Sequence, residues 1–198
     1  KVQERIISCV KDPEQYFEIC DSISKNRNCP IADITPIYCS LKVETLSRIR
    51  EGLINKGFTV KVLFLARDPV CRAWSMHRMG IKMKLRNQPE NQELLWPENA
   101  HESFSREYMK SCQQIRTRYE LILPNLFSVF KKDEINIFFY ENLFCMNTYE
   151  SICHFLGLTP ADPSFDIVRN PSPLIDDLPL NLASIVVNAY SETYKYMR

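Results

Sequence analysis

The chain has 198 residues, of which 45% are hydrophobic, and its formal net charge is +1. A chain of this size can bury one substantial core, so we expect a single domain over residues 1–198. A nearly neutral chain offers no general attraction for nucleic acid, and no apolar run reaches the roughly 18 residues that span a bilayer. We therefore expect neither a nucleic-acid partner nor a membrane span.

The cysteines bear on the compartment. The chain holds 8 cysteines, none in a Cys-x-x-Cys pair, and no Asn-x-Ser/Thr sequon. Cysteines scattered in this way are typical of buried, reduced thiols rather than of a disulfide framework or a zinc site. We therefore predict a cytoplasmic protein without a metal centre, with an origin in the Golgi lumen or secretory pathway as the alternative.

The N-terminal third predicts a helix, a strand and a second helix. The first helix starts at Asp12-Pro13, after which apolar side chains recur on one face. Residues 30–38 predict a short strand that runs into a turn. Residues 40–56 carry another helical apolar pattern, and Gly57 follows as a residue suited to ending a helix. With the strand that comes next, this order predicts a βαβ unit with parallel strands.

That next strand leads directly into a helix. Val62–Ala66 is continuously apolar, which is typical of a strand covered on both faces in a parallel sheet. Asp68 is a good N-cap residue, and Pro69 suits the first helical position. The sequence therefore predicts strand, short turn and helix, with the turn at the carboxyl end of the strand.

Three side chains at this junction are suited to an anion. Arg67 leaves the carboxyl end of the strand, where open α/β sheets bind ligands, and Arg72 and Ser75 lie in the first two turns of the helix. Guanidinium groups match phosphate oxygens, and a helix N-terminus favours negative charge. These residues predict a phosphate site. The alternative is an ordinary junction with a surface Arg and a helical Ser.

The pattern Arg67-x-Pro-x-x-Arg-x-x-Ser75 resembles the 3′-phosphate-binding motif of sulfotransferases that use 3′-phosphoadenosine 5′-phosphosulfate (PAPS). In that family the Arg and the Ser hold the 3′-phosphate of the donor. The resemblance therefore implies that Arg67 and Ser75 bind PAPS, and its product adenosine 3′,5′-bisphosphate (PAP), with Arg72 as a further contact.

Two other stretches extend the resemblance. Asp33-Ile-Thr-Pro-Ile-Tyr38 is similar to the family's Glu-x-(Thr/Ser)-Pro-x-Tyr, with Asp in place of Glu. This makes Asp33 a candidate near the acceptor, while a structural role in capping the next helix is the alternative. Tyr140-Glu-Asn-Leu143 is similar to the family's strand-ending Tyr-Glu-Asp-Leu. We expect Glu141 to fix a neighbouring loop or Arg by a charge-assisted hydrogen bond.

The helix after Arg67 carries a candidate base and a concentration of positive charge. His77 follows Ser75 by two residues and is a candidate to take the proton of an acceptor hydroxyl, although a packing role is the alternative. Between Pro69 and Pro89 the only charged side chains are five basic ones. They predict either a solvated face or a basic rim for an anionic donor or acceptor.

The remaining elements are predicted in order. Residues 84–99 form a loop, residues 101–130 a helix that Pro124 kinks or splits, and residues 135–140 a second buried strand. A short helix capped by Thr148 or Asn147 then ends at Gly157, and a proline-rich loop over residues 159–177 precedes a final helix over residues 178–197. That loop holds Arg169, a weak candidate for a donor contact by the family resemblance.

One family motif has no counterpart. The family holds the 5′-phosphosulfate with a loop containing Gly and Lys after its first strand, and none of the four glycines here lies in such a loop. From about Tyr16 onward, the family's other motifs are matched in their usual order along the chain. The expectation is therefore a domain that lacks the first strand and the phosphosulfate loop within these 198 residues.

The resemblance covers most of the chain, and it implies an α/β fold with three α/β/α layers and a central parallel sheet, related to the P-loop NTPases. It implies transfer of a sulfuryl group from PAPS to a hydroxyl or amine of a small-molecule or carbohydrate acceptor, without a metal. The alternatives are a small-molecule kinase of the P-loop class and a non-catalytic relative that has kept only nucleotide binding.

Overall fold

A computed structural model describes residues 12–27, 29–86, 99–167 and 177–198. Within these residues the fold is mixed α/β and mostly helical, with a small sheet of two parallel strands.

The chain divides into two compact units. The first unit comprises Lys1–Val62 and Asn125–Ile135, and the second comprises Leu63–Pro124 and Asn136–Arg198. The single-domain expectation for the chain stays a prediction.

The first unit is built on two helices. Helix α1 covers Glu14–Arg27 and helix α2 covers Val43–Asn55. Helix α2 ends as predicted at Gly57, whose φ of 83° turns the chain so that the N–H of Phe58 reaches the carbonyl of Leu53 at 3.1 Å. The helices pack closely, because Gly52 of α2 lies against the ring of Phe17, which is 2% exposed. Other buried apolar residues of this unit are Cys20, Leu46, Leu126, Phe130 and Ile135.

The predicted strand over residues 30–38 is not formed. Residues 30–35 are irregular, and a 3-10 helix covers Pro36–Ser40. Two prolines within this stretch, Pro30 and Pro36, have no N–H to donate to a neighbouring strand. The βαβ unit predicted from this segment is therefore wrong.

The sheet pairs strand β1, Val62–Ala66, with strand β2, Ile135–Phe139. Both strands agree with the sequence prediction, except that Tyr140 already belongs to a 3-10 helix, Tyr140–Asn142. The prediction that β1 is covered on both faces is wrong for the described residues, because Leu63 and Leu65 are exposed while Ala66 is buried. The three-layer α/β/α arrangement stays a prediction.

Helix α3, Pro69–Arg86, is the central element of the second unit. It begins where the Asp68-Pro69 signal predicts, and it extends two residues beyond Lys84, where a loop was expected. The rest of that predicted loop, residues 87–98, lies outside the described residues. The core beside α3 is formed by Ala73, Trp74, Ile81, Ala100, Phe104, Leu182, Val186 and Tyr190.

The long helix predicted over residues 101–130 is divided into three. Helices α4, α5 and α6 cover Ala100–Ser105, Ser111–Thr117 and Tyr119–Val129. The breaks fall before Ser111 and at Arg118, and Pro124 lies inside α6. Buried side chains on both sides of Pro124, at Leu123 and Leu126, explain why the helix continues despite the backbone hydrogen bond that proline removes.

Helix α7 covers Met146–Leu156. Its N-cap is Cys145 rather than Thr148 or Asn147, and it ends at Gly157 in the left-handed conformation, as predicted. The final predicted helix is two helices, α8 (Leu180–Ala189) and α9 (Ser191–Tyr196).

Leu182 and Val186 of α8 are buried, as is Tyr190 between α8 and α9, whereas Ile185 is exposed. No helix in the part of the chain that the structure describes is both long and apolar enough to cross a bilayer.

Candidate functional site

Arg67 emerges from the carboxyl end of β1 with its backbone held on both sides by one hydroxyl. The Arg67 N–H donates to the hydroxyl of Tyr119 at 3.1 Å, and that hydroxyl donates to the Arg67 carbonyl at 2.9 Å. Tyr119 itself is 2% exposed and meets the Phe64 ring edge-on. The direction in which Arg67 leaves the strand is therefore fixed by a buried side chain.

The guanidinium of Arg67 lies over an aromatic ring and forms no ion pair with the residues that the structure describes. Its central carbon is 4.3 Å from the centre of the Tyr140 ring, which follows β2. Within the described residues, its buried Nε atom has no hydrogen-bond partner and no carboxylate pairs with the group. A held cation with an unused donor, at the carboxyl end of a parallel strand, is suited to an anionic ligand.

Asp68 is bound by three groups. Its Oδ1 accepts the N–H of Cys71 at 2.9 Å, which confirms the predicted N-cap of α3. Its Oδ2 accepts the hydroxyl of Tyr194 at 2.6 Å, and its own N–H donates to Glu141 at 2.8 Å. The loop-fixing role predicted for Glu141 is thus observed.

This capping changes one part of the prediction. The sequence suggested that the N-terminus of α3 would help to hold the anion, but the Asp68 carboxylate already occupies it. Asp68 complements the positive end of the helix dipole, so a second anion placed there would meet its negative charge. The anion is therefore expected at the guanidinium of Arg67 rather than at the helix end.

Arg72 and Ser75 lie on α3 with different surroundings. The Nη1 of Arg72 donates to the hydroxyl of Thr117 at 3.1 Å, and Thr117 is fully buried. Arg72 is thus engaged with α5. Ser75 is half-buried, and in the described part of the chain it forms no hydrogen bond with Arg67. A phosphate bound by both Arg67 and Ser75 would therefore have to bridge the two side chains.

His77 is buried, and both of its ring nitrogens have protein partners. Nδ1 is 2.9 Å from Glu107, while Nε2 is 3.0 Å from the Ser103 hydroxyl and 3.1 Å from the Ala100 carbonyl. The hydrogen bond from Lys110, and then that from His77, lower the pKa of Glu107 against the effect of burial. An acceptor hydroxyl could reach Nε2 only by displacing these groups, so the geometry favours the packing role of His77.

Asp33 belongs to the first unit and is occupied in a similar way. The hydroxyls of Thr35 and Tyr38 each donate to it at 2.5 Å, and that of Tyr16 donates at 3.1 Å. Burial opposes the charge of Asp33, but these three hydroxyls together lower its pKa. A carboxylate with a lowered pKa and occupied oxygens is a poor proton acceptor, so the arrangement favours a structural role. That role is not the predicted helix cap, because the N-cap residue of the next helix is Thr35 and it forms no side-chain capping hydrogen bond among the described residues.

The other predicted positions give less. Arg169 lies outside the described residues. Two of the five basic side chains between Pro69 and Pro89 illustrate the remaining positions. The Arg78 guanidinium lies 5.8 Å from the Trp74 ring centre, and Lys84 is exposed. These positions fit both the solvated face and the basic rim.

The sequence reasoning missed the roles of Tyr119 and Tyr194. Both lie on helices, and both direct a hydroxyl to the Arg67-Asp68 turn. The spacing of these tyrosines along their helices gives no indication that their hydroxyls would hydrogen-bond to this turn. Tyr140 was recognised as part of a strand-ending motif, but its ring under Arg67 was not foreseen.

Comparisons with protein-family models, curated proteins and solved structures each found no match to this chain.

Proposed function

We propose that this protein is a PAPS-dependent sulfotransferase that transfers a sulfuryl group to a hydroxyl or amine acceptor. The observation that carries the proposal is Arg67, a cation that forms no ion pair among the described residues and whose backbone is held by Tyr119 at the carboxyl end of β1. Its position in Arg67-x-Pro-x-x-Arg-x-x-Ser75 supports a 3′-phosphate as the ligand. The three-layer α/β/α fold belongs to the same proposal.

The proposed role of Arg67 follows from its surroundings. A guanidinium offers parallel N–H donors that match two oxygens of a phosphate. The Tyr140 ring at 4.3 Å supports one face of the group and limits its movement, so little rotational freedom is lost when the anion binds. Ser75, on the second turn of α3, would supply a neutral donor to a remaining phosphate oxygen.

The proposed reaction is an in-line displacement at sulfur. A bond forms between the acceptor oxygen or nitrogen and sulfur while the bond from sulfur to the 5′-phosphate oxygen breaks. The acceptor proton passes to a base, and the electron pair of the broken bond leaves with PAP. His77 and Asp33 remain candidates for the base, although each is already hydrogen-bonded within the protein.

The test is ligand binding by calorimetry with PAP and adenosine 5′-phosphate, which lacks the 3′-phosphate. Losing a charge-assisted contact costs roughly 1.5 to 3 kcal/mol, so Arg67→Ala should weaken PAP about 10- to 100-fold. The 5′-phosphate ligand should be almost unaffected. Arg106→Ala is the matched control, since Arg106 directly follows α4, is exposed and pairs with Glu102 of that helix. Equal weakening of both ligands by Arg67→Ala would contradict the proposal.

Two further measurements separate the alternatives. If ATP displaces bound PAP at concentrations below that of PAP itself, so that ATP binds more tightly, the result would favour the kinase. Selective PAP binding without sulfate transfer, in a screen of carbohydrate, lipid, phenol and peptide acceptors, would favour the non-catalytic relative.

A further inference from the structure

The carboxylate of Asp68 is one peptide bond away from the proposed anion-binding group of Arg67. A free carboxylate in that place would compete with a ligand phosphate, because a guanidinium forms the same paired hydrogen bonds with both. Neither oxygen of Asp68 is free, however. The Cys71 N–H occupies Oδ1 at 2.9 Å and the Tyr194 hydroxyl occupies Oδ2 at 2.6 Å.

Tyr194 reaches this turn from the C-terminal helix α9. Burial, and then the hydrogen bond to Asp68, raise the pKa of Tyr194, so the hydroxyl remains a donor at neutral pH. Neighbouring positions hold the helix in place. The Thr193 hydroxyl donates to Glu120 at 2.6 Å, and the Tyr190 hydroxyl donates to the Tyr108 carbonyl at 2.6 Å. The Tyr194 hydroxyl is thus delivered to Asp68 by a helix that is itself fixed.

We propose that Tyr194 is a positioning residue that keeps the Asp68 carboxylate away from Arg67 and so leaves the Arg67 guanidinium open to an anion. The inference rests on the proposed function for the identity of the anion. It assigns to α9 a part in ligand affinity, although Tyr194 need not touch the ligand. Without its hydroxyl, Oδ2 of Asp68 would be free to pair with the guanidinium of the adjacent Arg67.

The experiment compares Tyr194→Phe with Tyr196→Phe in the full-length protein. Tyr196 lies on the same helix with an exposed ring, so its variant controls for loss of a hydroxyl from α9. Tyr194→Phe should weaken PAP about 3- to 10-fold and adenosine 5′-phosphate less than about 2-fold, the range expected for partial competition at one charged contact. Tyr196→Phe should change neither.

A second substitution separates positioning from a structural role. Asp68→Asn keeps a good N-cap for α3 but removes the charge that competes for Arg67. The double variant Tyr194→Phe with Asp68→Asn should therefore regain nearly the wild-type PAP affinity. An unchanged PAP affinity in Tyr194→Phe, an equal loss for both ligands, or a double variant weaker than Tyr194→Phe would each overturn the inference.

A ligand-free readout distinguishes failure of this inference from failure of the proposed function. The Nε–H resonance of Arg67, assigned by comparison with Arg67→Lys, should move in Tyr194→Phe and return in the double variant. If it does so while the wild-type protein fails to prefer PAP, Tyr194 positions Asp68 as inferred and the 3′-phosphate assignment is wrong. If the resonance does not move, the positioning inference is wrong whatever the protein binds.

Discussion

The hydroxyl of Tyr119 accepts the N–H of Arg67 and donates to the carbonyl of the same residue, at 3.1 and 2.9 Å. One side chain thereby satisfies both backbone groups at the point where β1 ends. In a sheet with more strands, a neighbouring strand could pair with this N–H and carbonyl. Here a buried tyrosine from α6 does it, and it also sets the direction of the proposed anion-binding side chain.

We predict that Tyr119→Phe destabilises the protein by about 1 to 3 kcal/mol, because the ring still packs while the Arg67 N–H and carbonyl lose their shared partner. Urea unfolding measures the change. Tyr149→Phe is the control, since the Tyr149 hydroxyl accepts the N–H of Ala161 in an exposed loop and water can replace it. The explanation fails if the two variants lose the same stability.

The role of His77 can be decided by separating stability from rate. If its contacts to Glu107 and Ser103 are structural, His77→Ala should cost roughly 2 to 3 kcal/mol of stability and leave the rate of the proposed sulfuryl transfer by the folded protein within a few-fold. A general base would instead lose about 10²- to 10⁴-fold in rate. His154→Ala, at an exposed position on α7, is the control. Turnover and urea unfolding of each variant give the answer.

An ion pair in the first unit predicts a specific dependence of stability on pH. The hydrogen bonds from Arg50, at 2.7 and 2.8 Å, are the main cause that lowers the pKa of Glu134 from 4.5 to about 2. Because the folded state lowers this pKa, the contribution to stability is complete above pH 4.5 and is lost as the pH falls towards 2.

The measurement is the melting temperature of the wild type and of Glu134→Gln across that window. Since Gln does not titrate, the difference between the two proteins should shrink steadily as the pH falls. A difference that stays constant down to the lowest pH would show that the ion pair does not contribute in this way.

Alanine substitutions at two helical glycines, Gly52 and Gly80, are expected to change the stability of the protein in opposite directions. A Cβ on Gly52 would overlap the buried ring of Phe17, whereas one on Gly80 would meet, beyond its chain neighbours and its own helix backbone, no atom of the described residues within 4 Å. We expect Gly52→Ala to destabilise the first unit by about 1 to 3 kcal/mol through overpacking. We expect Gly80→Ala to stabilise α3 by about 0.5 to 1 kcal/mol, because alanine favours the helix.

Thermal unfolding of the two alanine variants measures both effects with the same chemical change. If Gly52→Ala is as stable as Gly80→Ala, the ring of Phe17 must move aside without cost, and the close packing of α1 on α2 would be less important than the structure indicates.

The sequence by itself determined the features that depend on neighbouring residues. The apolar run Val62–Ala66 predicted β1 with its observed bounds, and Asp68-Pro69 predicted where α3 begins. Gly57 and Gly157 predicted two helix ends, because a positive φ costs glycine little. Each of these signals acts within a few residues of the place it controls, so it can be read without knowing the fold.

Only the tertiary structure decided the features that depend on partners distant in the chain. Residues 30–35 do not form a strand despite their apolar content, because a strand requires a hydrogen-bonded neighbour as well as suitable side chains. Pro124 stays inside a helix because Leu123 and Leu126 are buried around it. The same holds at the candidate site. The sequence identified Arg67, but the hydroxyls of Tyr119 and Tyr194 come from 52 and 126 residues away along the chain, to Arg67 and Asp68 respectively, and no local pattern marks them.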